Sequence, residues 1–458
     1  MRWEAAGRRL VAGASRRPSL VVGGILLVAL LLRLAVVVES RPYELFGDAH
    51  NYGLHAQWIA EELEYPPSID GPDGGPTAFR PPLYPLFLAP FYALFGDDGA
   101  EVARFSQAFL GVVVAALVGL IASMLWGRRV GLIALTGASL FPPFMYTGAA
   151  ILSETLFLAV MLAAVAATVQ ARRSPRRVRW AAAAGVFCGL AALTRSNGAI
   201  LAVPLAVALV STAGGGRRAA LISVSALLAA AVLTVAPWTI RNAIAFDAFV
   251  PVSTQGGHTL AGAYNETVRR SGDLWQVPWH LPDFAHLYWR PRFRETALRA
   301  ARAPGLAPRA WRTDVPEPEL DRRLRAAATE HMSEHPGYVL EKVVGNAARL
   351  IQLGGPHSAD FTIEELALQA PWSRRATTYL FYPFFALAIV GAFTAAARRT
   401  PRWLWLVPVV FLPALLVNGL ARFRLPIDPF LIMLASLAVA ALADRLGRPG
   451  LYRHRAQT

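Results

Sequence analysis

A carboxylate that follows the first long apolar segment is the best candidate for a catalytic group in this chain. Asp48 lies within the stretch 44–52, and a helix that starts near Gly47 would carry Asp48, Tyr52 and His55 on one face. A carboxylate at a membrane surface, beside a helix N-terminus, stays ionised and can accept a proton. The plainer interpretation is that Asp48 only caps the helix, since aspartate is a favoured N-cap residue.

A second acid, Glu154, follows Ser153 at the start of a later apolar segment. Its carboxylate is a candidate for the same site, although a helix dipole alone also stabilises an acid at this position. Five arginines lie at the ends of apolar segments opposite to the basic, cytoplasmic ends, so the positive-inside rule does not explain them. A guanidinium group can hold phosphate oxygens with two hydrogen bonds, so the set favours an anionic substrate over scattered surface charge. These residues are Arg80, Arg195, Arg241, Arg422 and Arg424.

Other patterns for ligand binding are weaker. Gly256-Gly257, which follow Gln255, permit close backbone approach to a ligand, and an ordinary tight turn is the alternative. His331 and His335 are four residues apart but lack a glutamate directly after the first histidine, so no metal site is predicted. No Walker loop, nucleophile elbow or dinucleotide fingerprint occurs, and cytosolic nucleotide chemistry has no support.

The bulk composition is that of a membrane protein. Of 458 residues, 55% are hydrophobic and 16% are charged, with a mean hydropathy of +0.40, whereas a soluble domain carries about 25% charged residues. The formal charge of +15 does not indicate nucleic acid, because most arginines flank apolar blocks. A single cysteine, Cys188, rules out an intramolecular disulfide bond.

Apolar blocks of bilayer-spanning length occur about ten times, so we predict an all-α polytopic membrane protein. Strongly basic segments between the blocks then all fall on one side, which the positive-inside rule makes the cytoplasm together with both termini. The predicted spans are roughly 20–38, 102–126, 130–148, 153–171, 180–195, 198–212, 219–237, 376–397, 403–421 and 425–443.

The same topology divides the chain into three parts. An N-terminal transmembrane module, 1–237, contains a first exoplasmic loop at 39–101, whose proline-broken piece 81–96 is expected to be interfacial or re-entrant. A long exoplasmic loop, 238–375, contains predicted helices at 318–334 and 338–353. A C-terminal transmembrane module and cytoplasmic tail form 376–458.

Six short motifs in this order resemble the GT-C superfamily of polytopic glycosyltransferases. The similarity is to the bacterial branch related to dolichyl-phosphate-mannose–protein mannosyltransferases and the aminoarabinose transferase of lipid A. The motifs are Asp48-Ala49-His50-Asn51-Tyr52, Arg80-Pro81-Pro82-Leu83-Tyr84-Pro85-Leu86, Ser153-Glu154-Thr155-Leu156-Phe157, Leu193-Thr194-Arg195-Ser196-Asn197, Pro237-Trp238-Thr239-Ile240-Arg241-Asn242, and Arg422-Phe423-Arg424-Leu425-Pro426-Ile427-Asp428-Pro429.

The resemblance implies an inverting transferase in the bacterial cytoplasmic membrane, with its active site outside. It would move a sugar from a polyprenyl-phosphate carrier to a protein, lipid or glycan acceptor, without nucleic acid as a partner. Asp48 would be catalytic and Glu154 the second-loop acid. Many relatives have Asp-Glu where this chain has Asp48-Ala49, so no cofactor is required, and a divalent metal remains an option. The predicted substrate-binding residues are Tyr52, His55, Arg80, Tyr84, Arg195, Arg241, Asn242, Gln255, Arg422 and Arg424.

Two other classes of function need the same membrane. A transporter or flippase of lipid-linked sugars would also need an anion site, but no paired halves or matched broken helices are evident. A purely structural scaffold leaves Asp48 and the unexplained arginines without a purpose.

Overall fold

The computed structural model describes residues 18–66, 76–211, 216–300, 313–353, 375 and 377–446. These parts of the chain are helical and contain no β-strand, which confirms the all-α prediction. The helices of the N-terminal half are α1 (Pro18–Glu39), α2 (Gly47–Glu62), α3 (Leu83–Phe95), α4 (Gly99–Trp126), α5 (Arg128–Leu140), α6 (Pro142–Ala149), α7 (Glu154–Ala171), α8 (Arg177–Thr194), α9 (Ala202–Val210) and α10 (Gly216–Phe246).

Shorter helices follow in the long loop and towards the C-terminus. They are α11 (Gln255–Ala263), α12 (Glu266–Ser271), α13 (Ala285–Tyr288), α14 (Arg294–Ala300), α15 (Glu317–Glu334), α16 (Pro336–Leu350), α17 (Phe381–Ala392), α18 (Ala395–Arg399), α19 (Arg402–Val409) and α20 (Asp428–Leu446). The predicted helices at 318–334 and 338–353 correspond to α15 and α16, so the long loop is partly helical as expected. The predicted division after residue 237 falls inside α10, and the three-part organisation stays a prediction.

Five stretches of the described chain are long and apolar enough to cross a membrane, and the bent pair α5–α6 is a sixth candidate. They confirm a multi-pass membrane protein. Other predicted spans coincide with apolar helices of 10–17 residues, so the count of about ten stays a prediction. The five stretches are Ser19–Glu39, Leu83–Trp126, Glu154–Ala171, Gly216–Phe246 and Asp428–Leu446.

The piece 81–96 contains α3, a 13-residue helix that ends at Gly96. Gly96 has a φ of +54°, which breaks the helix before α4 begins. A helix of this length reaches only about 20 Å, less than the hydrocarbon core. By its length, α3 alone is therefore too short to span a bilayer. Whether it is interfacial or re-entrant stays open.

Close helix packing forms the main core. In α8, a Cβ on Gly185 would lie 2.1 Å from the carbonyl oxygen of Leu227 in α10, and one on Gly189 would lie 2.6 Å from Thr234. Glycines four residues apart thus let the two backbones approach, as is common between membrane helices. The position of α8 relative to α10 depends on this contact.

Two buried arginines cap the C-terminal ends of α5 and α6. Arg33 of α1 donates to the carbonyl oxygens of Ala138 and Ser139, which end α5, and is 1% exposed. The sequence suggests that Arg33 snorkels or forms a structural pair, and the structure shows that it caps a helix C-terminus instead. Arg104 of α4 likewise donates to the carbonyl of Ala149 at the end of α6.

Candidate active site

Asp48 is the second residue of α2 and does not cap it. The N-cap position belongs to Phe46, whose side chain forms no capping hydrogen bond. The carboxylate of Asp48 instead accepts hydrogen bonds from Arg80, at 2.6 Å to Oδ1, and from Arg422, at 2.7 Å to Oδ2. The cap-only interpretation is therefore wrong. The Asp48 side chain is 25% exposed, so the carboxylate remains accessible.

Arg80 is held tightly against α2. Its Nε donates to Asn51 Oδ1 at 2.6 Å, and its guanidinium lies 4.9 Å from the centre of the Tyr52 ring. The hydroxyl of Tyr65 donates to the Arg80 carbonyl oxygen at 2.8 Å. Burial lowers the pKa of Arg80, but the charge of Asp48 outweighs it and raises the pKa overall. Arg80 is thus a fixed cation beside Asp48.

Arg422 lies between the two candidate acids. It comes from the 3₁₀ turn Ala421–Arg424, directly before α20. One guanidinium nitrogen bonds to Asp48, and another lies 4.0 Å from Glu154 Oε1. Residues that are 374 positions apart in sequence therefore share one ion pair.

Glu154, the first residue of α7, is buried and pairs with Arg195 at 2.7 Å. Arg195 directly follows α8 and also donates to Ser153 Oγ at 3.2 Å. The hydroxyl of Tyr52 donates to the same Ser153 oxygen, so α2 and α7 are linked beside the acids. We call Asp48, Arg80, Glu154, Arg195 and Arg422 the charged cluster.

A pocket opens at one end of the charged cluster. Glu154, Arg195 and Arg422 form its charged end, and side chains from α7 and from the segments before α20 form its apolar walls. The cavity volume is about 10 Å³, room for about one water molecule, so a ligand with an anionic head and a hydrocarbon part requires the lining side chains to move apart. The other lining residues are Phe157, Leu158, Asn197, Phe411, Ala414, Phe423, Leu425 and Pro426.

The electrostatics of Asp48 limit its basicity. Burial raises its pKa, but the adjacent Arg80 and Arg422 outweigh burial and hold the pKa well below its usual range. His55, one turn beyond Tyr52, is buried, and its Nδ1–H donates to the Asn51 carbonyl oxygen at 2.7 Å. Burial lowers the pKa of His55 to about 4, so its ring is neutral at pH 7.

The predicted aromatic residues lie behind the cluster. The rings of Tyr52 and Tyr84 meet edge to face at 4.8 Å, and Tyr84 donates to Gln107 Oε1 at 3.2 Å. Tyr84 is fully buried and His55 is 1% exposed. These side chains therefore support the cluster from inside, and their assignment to substrate contact stays a prediction.

Four other predicted binding residues make contacts elsewhere. Arg241 donates to the carbonyl oxygen of Thr77 and to Asn242 Oδ1, and Asn242 donates to the Val250 carbonyl. Arg424 pairs with Asp428 at 2.7 Å and also bonds to the carbonyl of Leu350. Gln255 begins α11, and for this residue the described structure gives no side-chain contact with the cluster. Their substrate-binding roles remain untested predictions.

Two residues that the sequence did not single out contribute to the site. Asn51 orients Arg80, and its position beside Asp48 was the available signal. Glu317, at the start of α15, accepts hydrogen bonds from Thr77 and Ala78 near Arg80. An acid in the first turn of a helix is common, so the sequence around Glu317 carries no such signal.

Asp48 and Glu154 do not fit a divalent metal. Asp48 and Glu154 are paired with guanidinium groups, which take the places that a cation would need. His331, Glu334 and His335 offer ligand atoms within 4.8 Å of one another, but the histidine rings stack nearly parallel, 4.4 Å apart. The divalent metal stays an untested prediction.

These features define the class: a multi-pass membrane protein with an acidic and arginine-rich site at an apolar pocket. Residues 79–240 match the family model of the dolichyl-phosphate-mannose-protein mannosyltransferases. The matched stretch includes Arg80, Glu154 and Arg195. No curated protein sequence matches the chain.

Solved structures of an archaeal oligosaccharyltransferase share the fold. AglB from Archaeoglobus fulgidus, an oligosaccharyltransferase in complex with an inhibitory peptide and a dolichol-phosphate, has a TM-score of 0.54 and 14% identity, covering 93% of this chain and 50% of AglB. The same organism's oligosaccharyltransferase with Zn and sulfate has a TM-score of 0.52 and 15% identity, covering 92% and 49%. ArnT from Cupriavidus metallidurans bound to undecaprenyl phosphate has a TM-score of 0.39 and 16% identity, covering 92% and 78%.

The chain spans about half the length of the archaeal oligosaccharyltransferases that it matches. The family match and the shared fold confirm the resemblance to the GT-C superfamily of polytopic glycosyltransferases.

Proposed function

We propose that the protein is a membrane glycosyltransferase that moves a sugar from a polyprenyl-phosphate carrier to an acceptor hydroxyl, with inversion at the anomeric carbon. The observation that carries the proposal is the position of Arg422. It bonds to the candidate base Asp48, approaches Glu154, and lines the apolar pocket. Once the lining side chains move apart, a phosphate at Arg422 and Arg195 would place its polyprenyl chain against the apolar walls and its sugar near Asp48.

The reaction breaks one bond and forms one. The acceptor oxygen attacks the anomeric carbon from the side opposite the phosphate, while its proton passes to an Asp48 carboxylate oxygen. The bond between that carbon and the phosphate oxygen breaks, and its electron pair leaves with the lipid phosphate. Arg195 and Arg422 stabilise the charge that develops on the leaving oxygen. Arg241 and Arg424, which the sequence analysis placed among the substrate-binding residues, take no part in this step.

Donor binding also resolves the weak basicity of Asp48. In the present arrangement, the hydrogen bonds from Arg80 and Arg422 keep the pKa of Asp48 low. A donor phosphate competes with Asp48 for Arg422, because both are anionic oxygen acceptors. As Arg422 turns towards the phosphate, the pKa of Asp48 rises and the carboxylate becomes a better base. The base is thus activated only when the donor is present.

The proposed setting is the bacterial cytoplasmic membrane, with the charged cluster on the exoplasmic side and both termini in the cytoplasm. The arginine-rich segments between apolar blocks support this orientation. The acceptor is a protein, a lipid or a glycan. AglB, which shares the fold, is described with a dolichol-phosphate, and the cluster offers the guanidinium groups that such a phosphate needs. No comparable observation favours a transporter or flippase.

The test uses purified protein in detergent with radiolabelled polyprenyl-phosphate sugars, supplied one at a time, and a membrane extract as the source of acceptors. Transfer is compared between the unchanged protein, Asp48→Asn and Glu61→Gln. Glu61 is an exposed acid on the same helix that bonds only to Gln57 among the described residues, so its variant should retain activity. Undiminished transfer by Asp48→Asn would reject Asp48 as the base. Movement of intact carrier across vesicles without bond cleavage would favour transport.

A further inference from the structure

The segment that carries Arg80 is held by the long loop. We call Thr77-Ala78-Phe79-Arg80 the 77–80 segment. The carbonyl of Thr77 accepts a hydrogen bond from Arg241 at 2.8 Å, and the carbonyl of Ala78 accepts one from the Thr254 amide at 3.1 Å. Thr77 and Ala78 are fully buried. Backbone groups of this segment are thus bound by elements far along the chain.

Glu317 is the strongest of these links. Its Oε2 accepts from Thr77 Oγ1 at 2.7 Å, and its Oε1 accepts from the Ala78 amide at 2.8 Å and from Thr254 Oγ1. Burial raises the pKa of Glu317, and the hydrogen bonds from Thr254, Thr77 and Ala78 partly offset this rise. Glu317 therefore joins α15, the start of α11 and the 77–80 segment at one point.

The helix that carries Glu317 is itself firmly placed. A Cβ on Gly257 of α11 would lie 2.0 Å from the carbonyl oxygen of Asp321 in α15, so the helices touch through their backbones. The Gly257 amide also donates to Asp321 Oδ1. The double glycine, which the sequence associated with a ligand, here admits α15. Glu317 thus lies on a helix whose position is fixed by its contact with α11.

The position of Arg80 depends on this link. Its guanidinium makes bonds of 2.6 Å to both Asn51 and Asp48, and such bonds weaken steeply when their geometry changes. The Arg80 carbonyl is bound to Tyr65 on the other side of the segment. A shift of Thr77 or Ala78 by a fraction of an ångström therefore moves the cation beside the proposed base.

We infer that Glu317 is a positioning residue: it links the long loop to the 77–80 segment and thereby sets Arg80 against Asp48. The inference rests on the proposed function for its catalytic consequence, but the link itself is independent of it. Docking of the long loop and assembly of the charged cluster then occur together. Sites whose reacting groups are held in this way lose activity when supporting contacts are removed.

The test combines hydrogen exchange with binding of undecaprenyl phosphate to the full-length protein in detergent. Glu317→Ala removes all three acceptor contacts, and Glu317→Gln keeps one carbonyl oxygen. Matched controls are Glu319→Ala and Glu319→Gln on the same helix, because Glu319 bonds to Arg322 and Arg323 within α15. We expect Glu317→Ala to speed exchange of the 77–80 amides about tenfold. It should weaken lipid-phosphate binding by a similar factor, because an Asp48 that has lost Arg80 holds Arg422 more tightly against the incoming phosphate. Glu317→Gln should fall between, and the controls should match the unchanged protein.

A double variant separates positioning from general destabilisation. Thr77→Val removes one partner of Glu317, so its effect on binding should be less than additive with that of Glu317→Gln. Unchanged exchange of the 77–80 amides in both Glu317 variants would overturn the inference, as would faster exchange with unchanged binding or strict additivity. If Glu317→Ala fails to fold, Glu317→Gln and the double variant decide. If the unchanged protein binds no undecaprenyl phosphate, the proposed donor is refuted, and the exchange data alone decide the link.

Discussion

Arg33 and Arg422 are both buried arginines in this chain, but their guanidinium groups have different kinds of partner. Arg33 donates to the carbonyl oxygens of Ala29, Ala138 and Ser139. Arg422 bonds to the Asp48 carboxylate and lines a pocket. A backbone carbonyl is a fixed, neutral acceptor, whereas a carboxylate at a pocket can give up its hydrogen bond to another anion. The first arrangement stabilises the fold, and the second is the arrangement on which the proposed donor binding depends.

Arg424 shows whether an arginine close to Arg422 in sequence has the same kind of partner. It is only two residues from Arg422, yet it pairs with Asp428, bonds to the Leu350 carbonyl and lies 3.6 Å from the Phe381 ring centre. Arg424 is 2% exposed. Its partners resemble those of Arg33 more than those of Arg422, so proximity in sequence does not determine the role.

The largest expected effect is on the chemistry at Asp48. Loss of a general base typically slows a reaction by about 100- to 10,000-fold, so Asp48→Asn should abolish measurable sugar transfer. Binding of undecaprenyl phosphate should persist, because Arg195 and Arg422 remain. Transfer rates and lipid binding measured on the same preparation check this prediction. Loss of binding with loss of transfer would show that Asp48 holds the arginines in place instead.

Removal of the helix cap should mainly affect stability. Arg33→Met leaves the carbonyls at the end of α5 without their donor, at a cost of about 3 kcal/mol. The thermal unfolding temperature in detergent should fall, while the affinity for undecaprenyl phosphate should stay unchanged. Arg129→Met, which removes an exposed pair with Asp444, is the control and should do neither. Weaker lipid binding in Arg33→Met at a temperature where it is folded would contradict the comparison.

A charge-preserving change at the pocket should affect binding. Arg422→Lys keeps the positive charge but loses the planar pair of donors, so undecaprenyl phosphate should bind about tenfold more weakly. Arg424→Lys should lower stability without this loss of affinity. Isothermal titration of both variants, with thermal unfolding alongside, makes the comparison. Equal losses of affinity would return Arg424 to the predicted substrate-binding set.

The smallest expected effect concerns pH. Burial lowers the pKa of His55 to about 4, so between roughly pH 6.5 and 4 the unfolded chain binds a proton that the folded chain does not. The free energy of unfolding should therefore decrease as the pH is lowered from roughly 6.5 to 4. This residue contributes a slope of at most about 1.4 kcal/mol per pH unit. His55→Gln should flatten thermal unfolding profiles in that range. His50→Gln, which changes an exposed neighbour, should leave the slope intact.

Asp48 acts in the same direction as His55 but at lower pH. Its folded pKa lies below the unfolded value of about 3.9, so its stabilising ion pairs are fully present above that pH and are lost only as the pH falls further. Acid sensitivity between pH 6.5 and 4 thus originates from His55 and similarly buried histidines such as His258, whose pKa is lowered to about 3 by burial.

The sequence by itself determined the helical class and the membrane setting. It also identified the acids and arginines that could act in catalysis or binding. Apolar blocks and their basic flanks are local features, and a helix satisfies its backbone within its own segment, so no distant contact is needed to predict them. Asp48, Arg80, Glu154, Arg195 and Arg422 were all identifiable from their places at segment ends.

Only the tertiary structure decided which of these residues meet. Asp48 and Arg422 are 374 positions apart, and no local pattern distinguishes Arg422 from Arg424 or marks Glu317 as a partner of Thr77. Those pairings depend on helix packing, such as the contact of Gly257 in α11 with Asp321 of α15, which places Glu317. The partner of a guanidinium group is set by three-dimensional distance, and the sequence alone specifies only the group.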